Sequence, residues 1–411
     1  METACCFVSR TIKQERNCRF RMRILFINSE IQSMPSILYA LQRMKYDVRM
    51  YEEAIEDIGG RPEKEKALLS YLQKEQIELV ISVLFAPIAA KQTHMLSIPY
   101  AVYGMDSPIY ATYLPVFPRY DNVYLFYFDK NEYQRVKNMG YQNAYHLPLA
   151  GDTEWADGIP MTKADVDKYG CDISFVGSLY TQNVYDDSLS KIPERFINIF
   201  SKILEQGAFL WDGKDRVEQF LSPELIYIVR CLCPEVFDCQ YECPESYYLK
   251  SLFFDRKMTQ VERTLLLQLL AENHDLRLYT WDSEKVPDGV KRYPSVDVMT
   301  ESRKVFRASK INLNITLRSI TSGVPARVFD IMSAGGFVLS NWQEEIPELF
   351  EEGKEIVTFR TLEELLEKTD YYLAHEEERK QIGINAHRKI REYYTYEHQL
   401  KKIISILFPL P

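Results

Sequence analysis

The residues best placed to do chemistry lie in the segment TSGVPARVFDIMSAGGFVLSN, residues 321–341. The segment predicts a short helix after Pro325, closed by two glycines and followed by a buried strand. At about 100° per residue, Arg327 and Asp330 share one helix face, beside Ala334. Arg327 lies in the first turn, where the helix dipole disfavours a cation but free N–H groups form an anion site. A bound diphosphate would explain the arginine, and Asp330 would accept hydrogen bonds from ribose hydroxyls. The alternative is an exposed ion pair that contributes a few tenths of a kcal/mol.

Two common phosphate-binding sequences are missing. The turn after the first predicted strand is SEIQSM, which contains no glycine. The Gly-x-Gly-x-x-Gly dinucleotide fingerprint is therefore absent there, and it is absent after the first strand of the second series. No Gly-x-x-x-x-Gly-Lys-Ser/Thr phosphate loop occurs either. These absences disfavour a dehydrogenase and a nucleoside triphosphatase.

Composition bounds the domain number and the partners. The chain has 411 residues, enough for about two or three domains. Its 59 acidic and 50 basic residues leave a net charge of −9, which disfavours nucleic acid as a partner. Hydrophobic residues make up 46% and charged residues 27%, as in ordinary globular proteins. No apolar run approaches the roughly 20 residues of a transmembrane helix.

The N-terminus and the cysteines predict a cytoplasmic location. Residues 1–21 lack the apolar stretch of a signal peptide and are interpreted as a tail before a domain that begins at Met22. Four cysteines cluster with spacings that do not suit zinc and without a nearby histidine: Cys231, Cys233, Cys239 and Cys243. We expect free buried thiols in a reducing compartment, with a metal or redox role as the alternatives. The triplet Asp165-Val166-Asp167 imitates an Asp-x-Asp metal motif, but its position in a polar stretch favours a chance match.

Two series of strands and helices predict an α/β protein with two Rossmann-like domains in tandem. The first series occupies residues 22–151 and the second 171–395, with the polar residues 152–170 between them as a hinge. A helical insertion is expected at about 183–273, and residues 396–411 are expected to pack back towards the first domain. Parallel sheets of this kind bind ligands at the carboxyl ends of their strands, so a cleft between the domains is the expected site.

Residues 305–359 and 363–400 resemble the C-terminal half of CgeB-like glycosyltransferases, which are similar to group 1 glycosyltransferases of the two-domain GT-B fold. The stretches YGMDSPI (103–109) and YHLPLAGD (145–152) resemble landmarks of the family's N-terminal domain. The part of the helical insertion at about 190–260 has no match in the family. The resemblance implies an N-terminal acceptor domain, a C-terminal domain for a nucleotide sugar, and no cofactor.

The resemblance implies roles for several residues of the second domain. Group 1 enzymes often carry two glutamates separated by seven residues, the second of which binds the ribose. Asp330 stands at the second position, whereas Ser322 stands at the first, so the carboxylate near the transferred sugar is missing. Gly177 and Ser178 fall on a loop expected to face the diphosphate. Two further donor-side candidates, Glu344 and Glu345, follow the strand after the helix; the alternative for them is a solvated acidic loop.

Sugar transfer from a nucleotide requires a cation near the leaving diphosphate and, for inversion, a base near the acceptor hydroxyl. Arg327 is the first choice for the cation and Arg318 the second, which would make transfer independent of metal. Asp106 is the candidate base, and a turn aspartate before Pro108 is the alternative. His146 is a weaker candidate on the acceptor side; a satisfied core histidine is the alternative.

The leading hypothesis is a hexosyltransferase that uses a nucleotide-diphosphate sugar and an acceptor that is a glycan, a protein or a small molecule. The departure at Ser322 keeps a second hypothesis open, a non-catalytic nucleotide- or sugar-binding scaffold of a glycosylation assembly. A nucleotide-sugar epimerase is the third. Nucleotide binding without transfer would indicate the scaffold, and conversion of the donor without an acceptor would indicate the epimerase.

Overall fold

A computed structural model gives the fold of residues 22–27, 34–51, 61–114, 120–237, 243–282 and 286–409. Within these residues two six-stranded parallel sheets form, each covered by helices. The predicted α/β class with two Rossmann-like domains is confirmed. The predicted tail, residues 1–21, lies outside the described residues.

The first sheet forms because short, continuously apolar segments alternate with helices, so that both sheet faces are buried. Its strand order is β2-β1-β3-β4-β5-β6. The strands are β1 (Arg23–Ile27), β2 (Asp47–Tyr51), β3 (Leu79–Ser82), β4 (Tyr100–Tyr103), β5 (Val123–Tyr127) and β6 (Ala144–His146). The helices are α1 (Met34–Arg43), α2 (Pro62–Lys74), α3 (Pro87–Met95) and α4 (Lys130–Asn138), with a 3-10 turn at Tyr110–Tyr113.

The connection predicted as a polar hinge contains two short helices, α5 (Thr153–Gly158) and α6 (Lys163–Tyr169). Thr162 and Asp165 form a reciprocal capping box at the start of α6. Asp165 also accepts a hydrogen bond from Lys304 at 2.9 Å, and these partners lower its pKa to about 2. A helix cap therefore accounts for this carboxylate, in keeping with the chance-match interpretation of the Asp-x-Asp triplet.

The second sheet has the order β12-β11-β10-β7-β8-β9. β7 and β10 are parallel neighbours at the centre of the sheet. From β7 the chain adds strands towards one edge, and from β10 it adds strands towards the other, so the strand order reverses between them. This point is where open α/β sheets bind ligands, because the connections leave the two strand ends on opposite sides and open a crevice. The strands are β7 (Ile173–Val176), β8 (Leu276–Tyr279), β9 (Lys291–Tyr293), β10 (Ile311–Asn314), β11 (Val338–Asn341) and β12 (Val357–Phe359).

The helical insertion lies between β7 and β8 and has a core of its own. Fully buried aromatic rings of Phe200, Phe253 and Phe254 meet there at centroid distances of 5.1–5.7 Å. Its helices are α7 (Val184–Ser188), α8 (Glu194–Gly207), α9 (Pro223–Leu232), α10 (Glu245–Leu249) and α11 (Asp255–Ala271). A π-helical turn, Lys250–Phe254, joins the last two, and 3-10 turns occur at Leu189–Lys191, Glu218–Phe220 and Pro234–Phe237.

The remaining helices cover the second sheet and then return to the first domain. They are α12 (Glu301–Ala308), α13 (Ala326–Ser333), α14 (Ile346–Leu349), α15 (Leu362–Ala374), α16 (Glu376–Tyr393) and α17 (Tyr396–Leu407). The last helix packs on α1, where Leu400 and Ile403 share a core with Leu41, and Arg43 pairs with Glu397.

The chain passes between the two domains twice, near residue 151 and near residues 394–395, and these two crossings lie side by side. The Gly151 amide donates to the Tyr394 carbonyl at 2.9 Å, and Gly151 forms a parallel bridge with Thr395. A Cβ atom on Gly151 would come within 1.8 Å of the Ser333 hydroxyl and 2.9 Å of the Phe329 carbonyl. Only glycine therefore allows the chain to pass this close to α13.

The insertion also contacts the first domain, through a buried carboxylate. Glu132 on α4 accepts hydrogen bonds from Tyr113 at 2.7 Å and from Tyr247 of the insertion at 2.6 Å. Arg135 lies 3.7 Å above the Tyr247 ring. Burial raises the pKa of Glu132, and the two tyrosine hydroxyls act against that shift. The insertion is therefore anchored to both domains.

No helix within the described residues is long and apolar enough to cross a membrane. Cys171 and Cys233 are buried, Cys231 is exposed and Cys243 is half-buried, and these four cysteines are not in disulfides. Cys239 lies outside the described residues. The four-cysteine cluster predicted from the sequence is thus described only in part.

Tyr247→Phe should lower the free energy of unfolding by about 1.5–3 kcal/mol, because it removes a hydrogen bond to a buried carboxylate. Urea denaturation followed by fluorescence measures this loss. Tyr227→Phe is the matched control, since Tyr227 is 67% exposed on the same insertion, and it should change stability by less than about 0.5 kcal/mol. Equal, small effects of both substitutions would contradict the anchoring role.

Candidate functional site

A cavity of about 520 Å³ lies between the two domains, at the carboxyl ends of the parallel strands. Its walls come from the loop after β4 in the first domain and from the ends of β7, β8 and β10 in the second. The start of α13 and the insertion helix α11 complete the walls. The cavity thus lies at the reversal of strand order in the second sheet, where the fold places a ligand.

Helix α13 begins immediately after Pro325 and directs Arg327 towards this cavity. The helix buries Val328, Phe329 and Met332 on its opposite side, as the 3.6-residue spacing predicts. The Nη1 atom of Arg327 is buried and has no hydrogen-bond partner among the described residues. A guanidinium that lines a cavity at a helix N-terminus and has an unused N–H donor is suited to binding an anion.

Asp330 supports Arg327 rather than facing the cavity. Its Oδ1 accepts a hydrogen bond from the buried Arg303 at 2.8 Å, and its Oδ2 lies 3.6 Å from Arg327. Burial lowers the pKa of Arg327, Asp330 raises it, and Arg303 lowers it further. Asp330 pairs with Arg303 and Arg327 and does not line the cavity. The structure therefore does not place Asp330 where it was predicted to accept hydrogen bonds from ribose hydroxyls.

A second arginine, Arg263 of α11, is buried and lines the same cavity. It donates two hydrogen bonds to the Ile315 carbonyl and one to the Ser178 carbonyl. Burial lowers the pKa of Arg263, with an opposing effect of Tyr180 and a further lowering by Arg327. Because the two cations disfavour each other, an anion between them would relieve their repulsion.

The loop after β7 is held by a single carboxylate. Asp282 Oδ2 accepts hydrogen bonds from the Ser178 hydroxyl at 2.9 Å and from the Leu179 amide at 2.5 Å. The next residue, Tyr180, adopts a positive φ of 57°. Gly177, Ser178 and Tyr180 all line the cavity, and contact of this loop with a diphosphate stays a prediction.

Asp106 faces the same cavity from the first domain. Its side chain is exposed to the cavity. Desolvation raises the pKa of Asp106, and the nearby positive charge of Arg256 on α11 lowers it. The two proposed catalytic residues, Asp106 and Arg327, therefore line one cavity from different domains.

Three other predicted residues meet in a buried network beside the cavity. The Ser322 hydroxyl lies 2.8 Å from Asp129 Oδ1 and 2.7 Å from Glu345 Oε1. Glu345 also contacts His146 Nε2 at 2.6 Å and accepts from the Lys130 amide at 2.8 Å. Ser322 and Glu345 are 0% and 1% exposed, so their place is the domain interface and not the donor-facing wall that was predicted. His146 is the satisfied histidine of the alternative interpretation.

The last two donor-side candidates also lie off the cavity wall. Arg318 forms an ion pair with Glu262, which is fully buried, and its Nε lies 3.0 Å from both carboxylate oxygens. Glu344 is exposed to solvent. Arg318 thus neutralises an internal carboxylate, and the solvated-loop alternative describes the position of Glu344.

Sequence reasoning missed the residues that the insertion brings to the cavity, Arg256 and Arg263, and the indole of Trp281 after β8. One signal was present in the sequence, because two arginines seven residues apart lie on the same helix face. Nothing in the sequence indicated that this face meets the strand ends. Among the described residues, no three His, Cys, Asp or Glu side chains are grouped to hold a metal ion.

Residues 257–405 match the family described as glycosyl transferase-like. The matched segment runs from α11 to α17 and includes Arg263, Arg327 and Asp282. No curated protein sequence matches the chain. The match supports the group 1 glycosyltransferase resemblance, and the narrower CgeB-like assignment stays a prediction.

Solved structures with similar folds cover almost the whole chain. A glycosyltransferase from Rickettsia africae ESF-5 is 10% identical, with a TM-score of 0.50 over 94% of this chain and 98% of that one. A sucrose-phosphate synthase from Thermosynechococcus elongatus is also 10% identical, with a TM-score of 0.52 over 94% and 99%. The chain therefore has the GT-B fold, and residues 257–405 are similar to the glycosyl transferase-like family.

Gly323→Ala should destabilise the protein by about 1–3 kcal/mol through overpacking at the domain interface. A Cβ atom there would lie 2.8 Å from the Phe128 carbonyl oxygen and 2.9 Å from the Asp129 Cα. Gly158→Ala is the matched control, because its Cβ would meet nothing within 4 Å. Chemical denaturation compares them; an alanine at 323 that is tolerated as well as one at 158 would show that the interface yields.

Proposed function

We propose that this protein is a glycosyltransferase that moves a sugar from a nucleotide-diphosphate sugar to an acceptor hydroxyl. The observation that carries the proposal is the cavity-lining Arg327 at the N-terminus of α13, whose Nη1 makes no hydrogen bond among the described residues, together with Arg263 and Asp106 in the wall of the same cavity. The second domain thus supplies two arginines where its strand order reverses, and the first domain supplies the carboxylate of Asp106. The glycosyl transferase-like match of residues 257–405 supports the same reaction.

On the donor side, the diphosphate lies between Arg327 and Arg263 and against the amides at the start of α13. When the bond between the anomeric carbon and the diphosphate oxygen breaks, negative charge develops on that oxygen. Fixed cations in a site removed from water stabilise such charge strongly, because no reorganisation is needed as the bond breaks. Protein groups supply this positive charge, so the mechanism that we propose uses no metal and no cofactor.

The nucleoside occupies the second-domain wall beyond the arginines. Trp281 lines the cavity and is 66% exposed, although most large apolar side chains of the domain are buried. Its neighbours in the wall include Ser295 and Val296, which follow β9. An exposed indole with a free face suits stacking on a nucleobase, which offers a flat π surface and a large contact area.

On the acceptor side, Asp106 takes the proton of the attacking hydroxyl. The acceptor oxygen then forms its bond to the anomeric carbon, the bond to the diphosphate breaks, and the diphosphate leaves with the electron pair. The raised pKa of Asp106 makes this carboxylate a stronger base than a solvated one. This assignment applies to transfer with inversion of the anomeric centre.

We assign the enzyme to the CgeB-like group, with a hexose as the transferred sugar and the cytoplasm as its compartment. Cys171 and Cys233 are buried and not in disulfides, which is compatible with a reducing compartment. Nucleotide binding without any transfer would favour the scaffold instead. That alternative keeps one structural argument, because Ser322 is sealed inside the domain interface.

Arg327→Gln should weaken binding of the preferred nucleoside diphosphate about 10- to 100-fold, because a charge-assisted hydrogen bond to the diphosphate is lost. Isothermal titration with UDP, GDP, ADP and dTDP first identifies the base and then measures the loss. Asp106→Asn should keep the wild-type affinity for that nucleotide while abolishing transfer.

Arg388→Gln is the matched control, since Arg388 is exposed on α16, and its affinity should equal that of the wild type. The donor site would be misplaced if Arg327→Gln and Arg388→Gln bound the nucleotide equally well. No binding of any nucleotide to the wild type would exclude the proposed reaction.

Trp281→Ala should weaken nucleoside diphosphate binding roughly 5- to 100-fold, the range for loss of one base–aromatic stack. Inorganic pyrophosphate has no base, so its affinity should not change. Competition titration of both ligands in wild type and variant gives the comparison. Trp281→Phe keeps an aromatic face and should restore most of the affinity; equal weakening of both ligands would argue against stacking.

A further inference from the structure

Helix α11 presents two arginines to the cavity, and only one of them belongs to the donor site. Arg256 and Arg263 are seven residues apart, so they lie on one helix face about 10 Å from each other along the axis. Both line the cavity. Arg263 interacts electrostatically with Arg327, Tyr180 and Asp282, at the strand ends. Arg256 interacts instead with Asp106 and Tyr110 of the first domain.

The charge of Arg256 is available to a ligand. The side chain is only partly buried and, among the described residues, no carboxylate lies within 4 Å of its guanidinium. The nearest acidic residue in sequence, Asp255, is already paired with the buried Lys250 at 2.8 Å. Asp106 affects Arg256 through space but does not form an ion pair with it. An arginine without a partner in a concave site is a binding group for phosphate or carboxylate.

The surroundings place Arg256 on the acceptor side. The Tyr110 hydroxyl of the first domain donates to Ser251 of the insertion at 2.7 Å, and both residues line the cavity. This contact joins the two domains in the cavity wall, and Ser251 precedes Arg256 on the side away from Arg263 along the chain. A diphosphate at Arg263 and Arg327 therefore leaves Arg256 for the other substrate.

We propose that the acceptor carries an anionic group, a phosphate or a carboxylate, and that Arg256 binds it. The inference rests on the proposed function, because it assigns the other end of the cavity to the nucleotide. The anion fixes the acceptor with one of its hydroxyl groups beside Asp106. The insertion thereby contributes acceptor recognition from the domain that binds the donor, so the acceptor site is complete only when α11 and the first domain face each other.

The test compares wild type, Arg256→Gln and Arg388→Gln, each saturated with the nucleoside diphosphate that binds best. Isothermal titration measures the affinity for two pairs of probes that differ by one anionic group: glucose 6-phosphate against glucose, and glucuronate against glucose. We expect the wild type to prefer at least one anionic probe, and Arg256→Gln to lose that preference by tenfold or more. The nucleotide affinity itself should not change, which shows that the variant is folded.

The two pairs distinguish a phosphate from a carboxylate. An unchanged preference in Arg256→Gln, equal losses for charged and neutral probes, or a wild type that prefers neither anion would each overturn the proposal. If the wild type binds no nucleotide, the proposed function fails separately. The titrations are then run without nucleotide, and Arg256→Gln must still weaken the anionic probe.

A second readout follows from the position of Asp106. Because Arg256 lowers the pKa of Asp106, Arg256→Gln should raise that pKa. The acidic limb of the kcat/KM profile reports the deprotonation of the base in the free enzyme, so it should move to higher pH. A residue that only supports the fold would lower the rate at every pH and leave the limb in place.

Discussion

The site depends on Arg263, which spans the place where the second sheet reverses its strand order. It donates to backbone carbonyls after β7 and β10, the two strands that separate there. Burying a guanidinium is costly unless its donors are satisfied, and these carbonyls together with the rings of Phe175 and Tyr180 satisfy it. The same residue therefore orders both loops of the crevice and brings a fixed positive charge into it. Arg327, supported by Asp330, adds a second charge that has room for a ligand.

The parts of the structure that depend on local pattern could be predicted. Continuous apolar segments gave the parallel strands, and the spacing around Arg327 gave the buried and cavity-facing sides of α13. Two local features escaped prediction. Helix α3 is buried on most sides and lacks an amphipathic stripe, and α5 and α6 are too short for their periodicity to stand out.

Contacts between residues that are far apart in the sequence could not be predicted. Glu345, Ser322 and His146 come from three separated segments and meet around the helix cap Asp129, whose sequence context indicates nothing more than the start of α4. The residue types alone do not show whether such polar side chains bind a ligand or form a buried network between the domains. Arg318 shows the same difficulty, because its partner Glu262 lies 56 residues away in the sequence, on the insertion helix α11.

The side-by-side crossings at Gly151 and Tyr394 limit how the two domains can move. These two segments of the chain are joined by a backbone hydrogen bond, so they resist sliding and twisting but can bend together about a line through both. Such a joint favours rotation about that line over other relative motions of the two domains. Opening of the cavity then has its smallest displacement at Gly151 and larger displacements farther from it, so a substrate would enter by the rim opposite the hinge.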